Sequence, residues 1–251
     1  MNRARRTPVS IPSARTIANR TAYEVMTMTS RYPGLALPVA RARGHGVAFT
    51  TTTDVVIEGY PRSGNSLAFA SLLAAQSEPI RIAHHTHAPA NVIAGAKAGV
   101  PVLLLIRPPK EAVIGMVLIK PDLTVSQAMR GYHRFYEPIL PYRDRVVVGR
   151  SEEVIDDFGA LVDRINRRFG TSFDAPEPTA ENRVTRDELV ERYWRSRVGP
   201  GLPLVGRTDR RSSEDGGGEA RTRAGATYDR AAPALRHRLS VLYRELTEGL
   251  R

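Results

Sequence analysis

A short apolar run that ends in a glycine-bracketed loop and continues as a helix constrains this chain more than any other feature. Asp54-Val-Val-Ile-Glu58 is rich in β-branched residues and reads as a buried strand. Gly59-Tyr60-Pro61-Arg62-Ser63-Gly64 is the loop, and Asn65 to Gln76 reads as a helix. The glycines stand at the spacing G-x-x-x-x-G. Between a strand and a helix, that spacing lets successive backbone N–H groups turn inward around a phosphate, and the helix adds its unsatisfied N–H groups and positive dipole end. The competing reading is a plain strand–turn–helix link made of Gly and Pro. A nucleoside triphosphatase loop would continue Gly-Lys-Ser/Thr. Here Gly64 is followed by Asn65 and Ser66, so the lysine that would reach the β- and γ-phosphates is missing and the loop's cation is Arg62.

The same alternation repeats downstream. Ile80 to His84 is a second strand, Pro89 to Ala98 a helix stopped by Gly99, and Val102-Leu-Leu-Leu-Ile106 a third, continuously apolar strand of the kind found inside a parallel sheet. Pro108 to Leu118 reads as a helix, Thr124 to Arg143 as a helix interrupted around Pro138 and Pro141, and Arg145 to Gly149 as a fourth strand. Ser151 to Phe169 reads as one amphipathic helix with Ser151 as N-cap. The class is therefore α/β, three-layered, with a mainly parallel central sheet flanked by helices. Outside this pattern, residues 13–32 read as a helix, 33–53 as a loop with a short strand, 186–198 as a helix, 199–226 as a mobile loop and 230–250 as a terminal helix. The expected organisation is an N-terminal extension over 1–53 and one α/β domain over 54–251.

Composition narrows the chemistry. The 251 residues include no cysteine, so disulfides, thiolate metal sites and cysteine nucleophiles are excluded. Val100 to Ile106 is too short to span a bilayer, and no apolar stretch follows the basic Met1 to Arg6, so a cytoplasmic protein with no membrane span is expected. The net charge is +11, which suggests an anionic partner. Only Lys97, Lys110 and Lys120 are lysines, so an arginine-biased composition is the plainer source of much of that charge. Aromatic-interleaved basic motifs are absent, so no specific nucleic acid is expected.

Two further segments carry candidate chemistry. The second strand runs into His84-His85-Thr86-His87-Ala88-Pro89. Zinc would need a ligand set that no Cys or neighbouring carboxylate completes. A pair of histidines satisfied by backbone groups is one reading, and a general base of neutral imidazole near pH 7 is the other. The third strand ends in Arg107, which can fork two donors onto a phosphate at the carboxyl edge of a sheet. Otherwise it is a surface arginine paired with Glu111.

With these residues in place, a resemblance emerges. Tyr60-Pro61-Arg62-Ser63-Gly64-Asn65-Ser66 resembles the 5′-phosphosulfate loop Y-P-[KR]-S-G-T-T/S-W of sulfotransferases that use 3′-phosphoadenosine 5′-phosphosulfate (PAPS). Thr86, His87 and Pro89 resemble the family's K-T-H-x-P, and Arg107-Pro108-Pro109-Lys110-Glu111 through Ile114-Gly115 its 3′-phosphate motif. Val146 to Val154, with the helix that follows, is similar to the family's strand and Y-E-D-L segment, its aromatic replaced at Gly149 and Arg150.

The resemblance implies a metal-independent sulfotransferase of P-loop type, with PAPS as co-substrate and a small-molecule or glycan acceptor. It implies His87 as the base, Arg62 at the sulfonate, and His85 where the family has lysine. Nucleotide contacts fall on Arg62, Ser63, Gly64, Asn65, Ser66, Leu67, Arg107 and Gly115. Leu67 stands where a tryptophan often stacks on adenine, and Gly115 where a serine binds the 3′-phosphate. Arg221 and Arg223 loosely match a C-terminal 3′-phosphate segment, with a solvated arginine-rich loop as the alternative. The rival functions are an NTP-dependent phosphotransferase and a non-catalytic nucleotide-binding protein of the same fold.

Overall fold

The computed structural model of the protein describes residues 12–44, 46–198 and 217–249. Its centre is a parallel sheet of four strands in the order β2-β1-β3-β4: β1 (Val55–Gly59), β2 (Ile82–His84), β3 (Val102–Ile106) and β4 (Val147–Arg150). β1 pairs with β2 on one side (Ile57 beside His84) and with β3 on the other (Gly59 beside Leu105). The chain thus leaves β1 in one direction for β2 and later returns to its opposite side for β3. This reversal opens a crevice at the carboxyl ends of β1 and β3, the usual ligand position in such sheets.

Every residue of β1 and β3 is buried, and the pleat divides them between two cores. Val55, Ile57, Leu103 and Leu105 face a core shared with α3 (Asn65–Ala75) and α8 (Phe158–Phe169). Val56, Val102, Leu104 and Ile106 face the opposite core, built from α4 (Pro89–Ala98), α5 (Pro109–Ile119), α6 (Val125–Tyr136) and α11 (Pro233–Thr247). A sheet covered on both faces explains why these strands read as unbroken apolar runs. Each fully buried aliphatic side chain contributes about 2 kcal/mol. The three-layer α/β class expected from the sequence is what the fold shows.

Local chemistry explains most boundaries. Gly99 closes α4 in the left-handed conformation (φ 75°). Thr124 and Gln127 form a reciprocal capping box at the start of α6. At Pro138 and Pro141 the helix gives way to a 3-10 segment, Glu137–Arg145.

Four expectations need correction. The stretch 33–53 is not simply a loop with a strand: α2 (Pro33–Arg43) occupies its first half, and only Val47 makes an isolated antiparallel bridge to His84. Pro33 sits in the first turn, where its missing N–H has no partner to lose, so it starts the helix. The helix expected over 151–169 is two, α7 (Ser151–Asp156) and α8, because Asp157 leaves the helical conformation to cap Ala160 N–H at 3.1 Å. Ser151 is the first helical residue rather than the cap, and Glu153 takes the Arg150 N–H at 2.7 Å. Finally, the expected mobile loop 199–226 lies partly outside the described residues (199–216), and its described part belongs to α10 (Gly217–Asp229).

Upstream, α1 (Ala14–Thr29) packs on α6 through Tyr23 and the ion pairs of Glu24 with Arg130 and Arg134. Farther along, α9 (Ala180–Val198) covers α3. Among the described residues, no helix is long and apolar enough to cross a membrane.

Candidate active site

Three non-glycine residues among those described adopt positive φ: Arg62 at 74°, His85 at 56° and His87 at 49°. Such a backbone costs of order 1–3 kcal/mol per residue and persists only where its surroundings impose it. All three are residues that the sequence marked as candidates, and they converge on the carboxyl end of β1.

The loop after β1 is held from below by tyrosines. Tyr136 Oη donates to Leu105 O at 2.8 Å and accepts the Tyr60 N–H at 3.2 Å, and it lies 3.2 Å from Ser63 Oγ. Tyr60 Oη donates to Ala128 O at 3.0 Å and touches Tyr23 Oη at 3.2 Å. Burial drives the Tyr60 phenol well above its ordinary range, so the hydroxyl stays protonated and keeps donating. Ser63 is fully buried, facing Tyr136. Asn65 Nδ2 donates to the carbonyls of Gly59 and Tyr60, both at 3.3 Å, so its amide group braces the loop from within. Gly64 takes φ 95° as the N-cap of α3, and among the described residues no side chain caps that helix end. A phosphate fits such a terminus because its backbone N–H groups and dipole end are open to it.

Arg62 leaves the loop toward α5. A Cβ at Gly115 would stand 3.0 Å from Arg62 Cγ and 3.4 Å from its Nε, so the bare backbone of Gly115 gives the guanidinium stem its room. Arg107 Nη1 donates to Arg62 O at 3.3 Å, and Tyr132 Oη donates to Arg107 O at 2.9 Å. Arg62, Arg107 and Gly115 therefore form one basic wall of the crevice.

The opposite wall is the segment after β2. Ser66 Oγ lies 3.0 Å from His85 Nε2, and His85 Nδ1 lies 2.6 Å from His84 Nδ1. His85 is thus buried in a Ser66–His85–His84 chain, beneath Phe69 and beside Tyr193 and Trp194 of α9. His87 Nδ1 lies 3.0 Å from Gly59 O. A carbonyl can only accept, so Nδ1 carries the proton and Nε2 is left with a lone pair. Burial lowers the His87 pKa, the Gly59 bond opposes that shift, and Lys120 lowers it further, so the ring is neutral at pH 7. That state is the one a general base requires.

Sequence reading missed Glu58. It is fully buried at the end of β1, and its carboxylate receives four bonds. Thr86 N–H and Oγ1 reach Oε1 at 2.7 and 2.6 Å, Asn91 Nδ2 reaches the same oxygen at 3.0 Å, and the His87 N–H reaches Oε2 at 3.2 Å. Burial nevertheless raises its pKa to about 7. The only signal in the sequence was a carboxylate inside an otherwise apolar strand.

Other candidates sit farther from this centre. Leu67 is partly buried and packs against the α3–α8 core. Arg221 and Arg223 lie within α10; Arg223 is exposed and pairs with Glu219 at 3.5 Å, whereas Gly225, one turn after Arg221, rests on Ile114 and Lys110 of α5. A cleft of about 290 Å³ bordered by Ser71, Val154, Asp156, Asn182, Arg183 and Arg186 runs along the far half of α3, away from His87 and Arg62. Among the described residues, no group of three or more His, Cys, Asp or Glu is placed to hold a metal ion.

The fold and site define an α/β protein whose first strand passes through a glycine-bracketed loop into α3, with Arg62 and Arg107 on one side and His85 and His87 on the other. No protein-family model and no curated protein sequence matches the chain. Among solved structures it is similar to mouse sulfotransferase SULT7A1 complexed with PAP, over 80% of this chain and 86% of that one, at 12% identity and a TM-score of 0.41.

Proposed function

We propose that the protein transfers a sulfonate group from PAPS to a hydroxyl or amine of an acceptor, a small molecule or a glycan, without a metal. The observation that carries this reading is the bond from His87 Nδ1 to Gly59 O, which ties a neutral base to the first residue of the phosphate-type loop. The residues fit the donor. The open N-terminus of α3 suits its 5′-phosphate, Arg62 its sulfonate oxygens, and Arg107 its 3′-phosphate.

In the reaction, the acceptor oxygen forms a bond to sulfur while the bond from sulfur to the bridging oxygen breaks. His87 Nε2 takes the acceptor proton, and the electron pair leaves on adenosine 3′,5′-bisphosphate. Arg62 and the α3 N–H groups stabilise the charge that develops on the bridging oxygen, a contribution that preorganised donors supply best. Ser66 adds a hydroxyl fixed by His85.

Two features favour a second reading, a nucleotide binder without transfer: Asn65 spends its side-chain N–H groups on the loop and Leu67 packs its side chain against the α3–α8 core, so adenine and phosphate each have fewer contacts than the resemblance implies. His87→Ala separates the two. Sulfonate transfer from PAPS to a panel of phenols, alcohols, amines and glycans is expected in the parent and lost in the variant, with binding of adenosine 3′,5′-bisphosphate retained in both. Unchanged turnover in the variant contradicts the role of His87, and binding without turnover in the parent supports the second reading.

A further inference from the structure

Glu58 bonds both to the turn that carries the base and to the helix that follows it. From the end of β1 its carboxylate reaches the Thr86 backbone and hydroxyl, the His87 backbone, and Asn91 on α4. Asn91 in turn holds the Phe49 N–H through its Oδ1 at 2.6 Å. Two of the three strained residues, His85 and His87, flank Thr86. A turn with positive φ on both sides of its centre needs an external clamp, and Glu58 is the acceptor that receives its N–H groups.

We propose that Glu58 is the positioning residue of this site: as a carboxylate it clamps the His85–Thr86–His87 turn so that His87 keeps its proton on Nδ1, and protonation of Glu58 releases that clamp. All four groups facing its oxygens are donors. Protonation turns an acceptor-only group into one that also donates and removes the charge that strengthens all four bonds, so the acid form holds the turn less tightly. The change falls where it can act, because burial sets the carboxyl to titrate at about 7.

The other titratable and charged groups around this centre are known. His84 sits on β2 beside Ile57, and His85 and His87 lie in the turn itself. Tyr136 faces it from α6, and Lys120, after α5, acts on His87. His87 titrates below its ordinary value of 6.5 and Tyr136 far above neutrality, so neither accounts for a step near 7, and a step from any other histidine would persist in Glu58→Gln. The inference rests on the proposed function only for its catalytic consequence, since the clamp itself is defined without any ligand.

The test uses the ¹⁵N-labelled full chain, with the His87 ring resonances assigned by their loss in His87→Gln. Two-bond ¹H–¹⁵N spectra distinguish the Nδ1–H from the Nε2–H tautomer. In the parent, His87 is expected as Nδ1–H above pH 8, with a stepwise shift of its ring nitrogens centred near 7. Glu58→Gln is expected to abolish that step and leave mixed tautomers at every pH. In the transfer reaction it should lower kcat about tenfold with little change in the KM for PAPS.

A parent without the step overturns the proposal, whether or not the variant folds, as does a Glu58→Gln protein with the parent's tautomer and titration. Failure of the parent to bind adenosine 3′,5′-bisphosphate would instead remove the proposed function and leave the tautomer result to stand or fall alone.

Discussion

Arg62 lies across the face of α5 that Gly115 leaves bare: a Cβ at 115 would sit 3.0 Å from Arg62 Cγ and 3.2 Å from its Cβ. The glycine that stands where the resemblance expects a phosphate-binding serine is therefore the partner of the loop's cation. Gly115→Ala separates fit from stability. Alanine gains about 1 kcal/mol of helix propensity over glycine, which offsets the local squeeze, so the melting temperature should change little. The displaced guanidinium should weaken adenosine 3′,5′-bisphosphate binding about tenfold, roughly 1.4 kcal/mol by calorimetry. Unchanged affinity would mean that Arg62 does not meet the ligand from this position.

Tyr136 is expected to matter to the loop and not only to the core. Its hydroxyl joins Leu105 O, Tyr60 N and Ser63 Oγ inside the protein. Tyr136→Phe leaves the ring's packing intact but strands a buried carbonyl and a buried N–H, at about 1–3 kcal/mol of stability. Urea unfolding measures this. A loss under 0.5 kcal/mol, within the ordinary range of neutral surface changes, would show that these bonds are replaced.

Stability should depend on pH through Glu58 and His87 in opposite senses. The Glu58 pKa is raised from 4.5 to about 7, so between those values the native chain keeps a proton that the unfolded chain has released. Stability from this group is full below 4.5 and is lost as pH rises through 7. His87 has a lowered pKa, so below 6.5 the unfolded chain takes up a proton that the native ring refuses, and stability falls as pH falls. Glu58→Gln removes the first and larger effect. Between pH 5 and pH 8 the variant should gain roughly 2–3 kcal/mol on the parent in denaturant unfolding. Parallel profiles for the two proteins would contradict the burial-driven shift.

Ser66 and His85 should act together. With Ser66 Oγ 3.0 Å from His85 Nε2, Ser66→Ala and His85→Ala each remove the same bond. Their effects on bisphosphate affinity should be non-additive, with a coupling of about 1 kcal/mol in a double-mutant cycle. Additive losses would mean that each residue meets the ligand on its own.

The parts of this molecule legible in its sequence are those fixed by local chemistry. The runs 55–59 and 102–106 are strands because both of their faces are buried, and Gly99 ends α4 because its φ is positive. The loop and His87 were visible as motifs. The helix Pro33–Arg43 was hidden, since Pro33, Gly34 and Pro38 look like breakers although Pro33 in fact occupies the first turn. Long-range partnerships were hidden as well. Nothing local says that Glu58 will clamp Thr86, 28 residues away, or that Asn91, 33 residues away, will join them. Arg62 against Gly115 is likewise made by the packing of α5 beside the loop, which no pattern in either segment encodes.

Calorimetry of the parent with adenosine 3′,5′-bisphosphate and, separately, with ATP and magnesium tests the central claim most directly. The open end of α3, Arg62 in place of a loop lysine, and Arg107 beside it predict saturable binding of the bisphosphate, at least tenfold tighter than ATP, and weakened about tenfold by Arg107→Ala. Tighter binding of magnesium ATP, or an Arg107→Ala protein that binds the bisphosphate as the parent does, would contradict it.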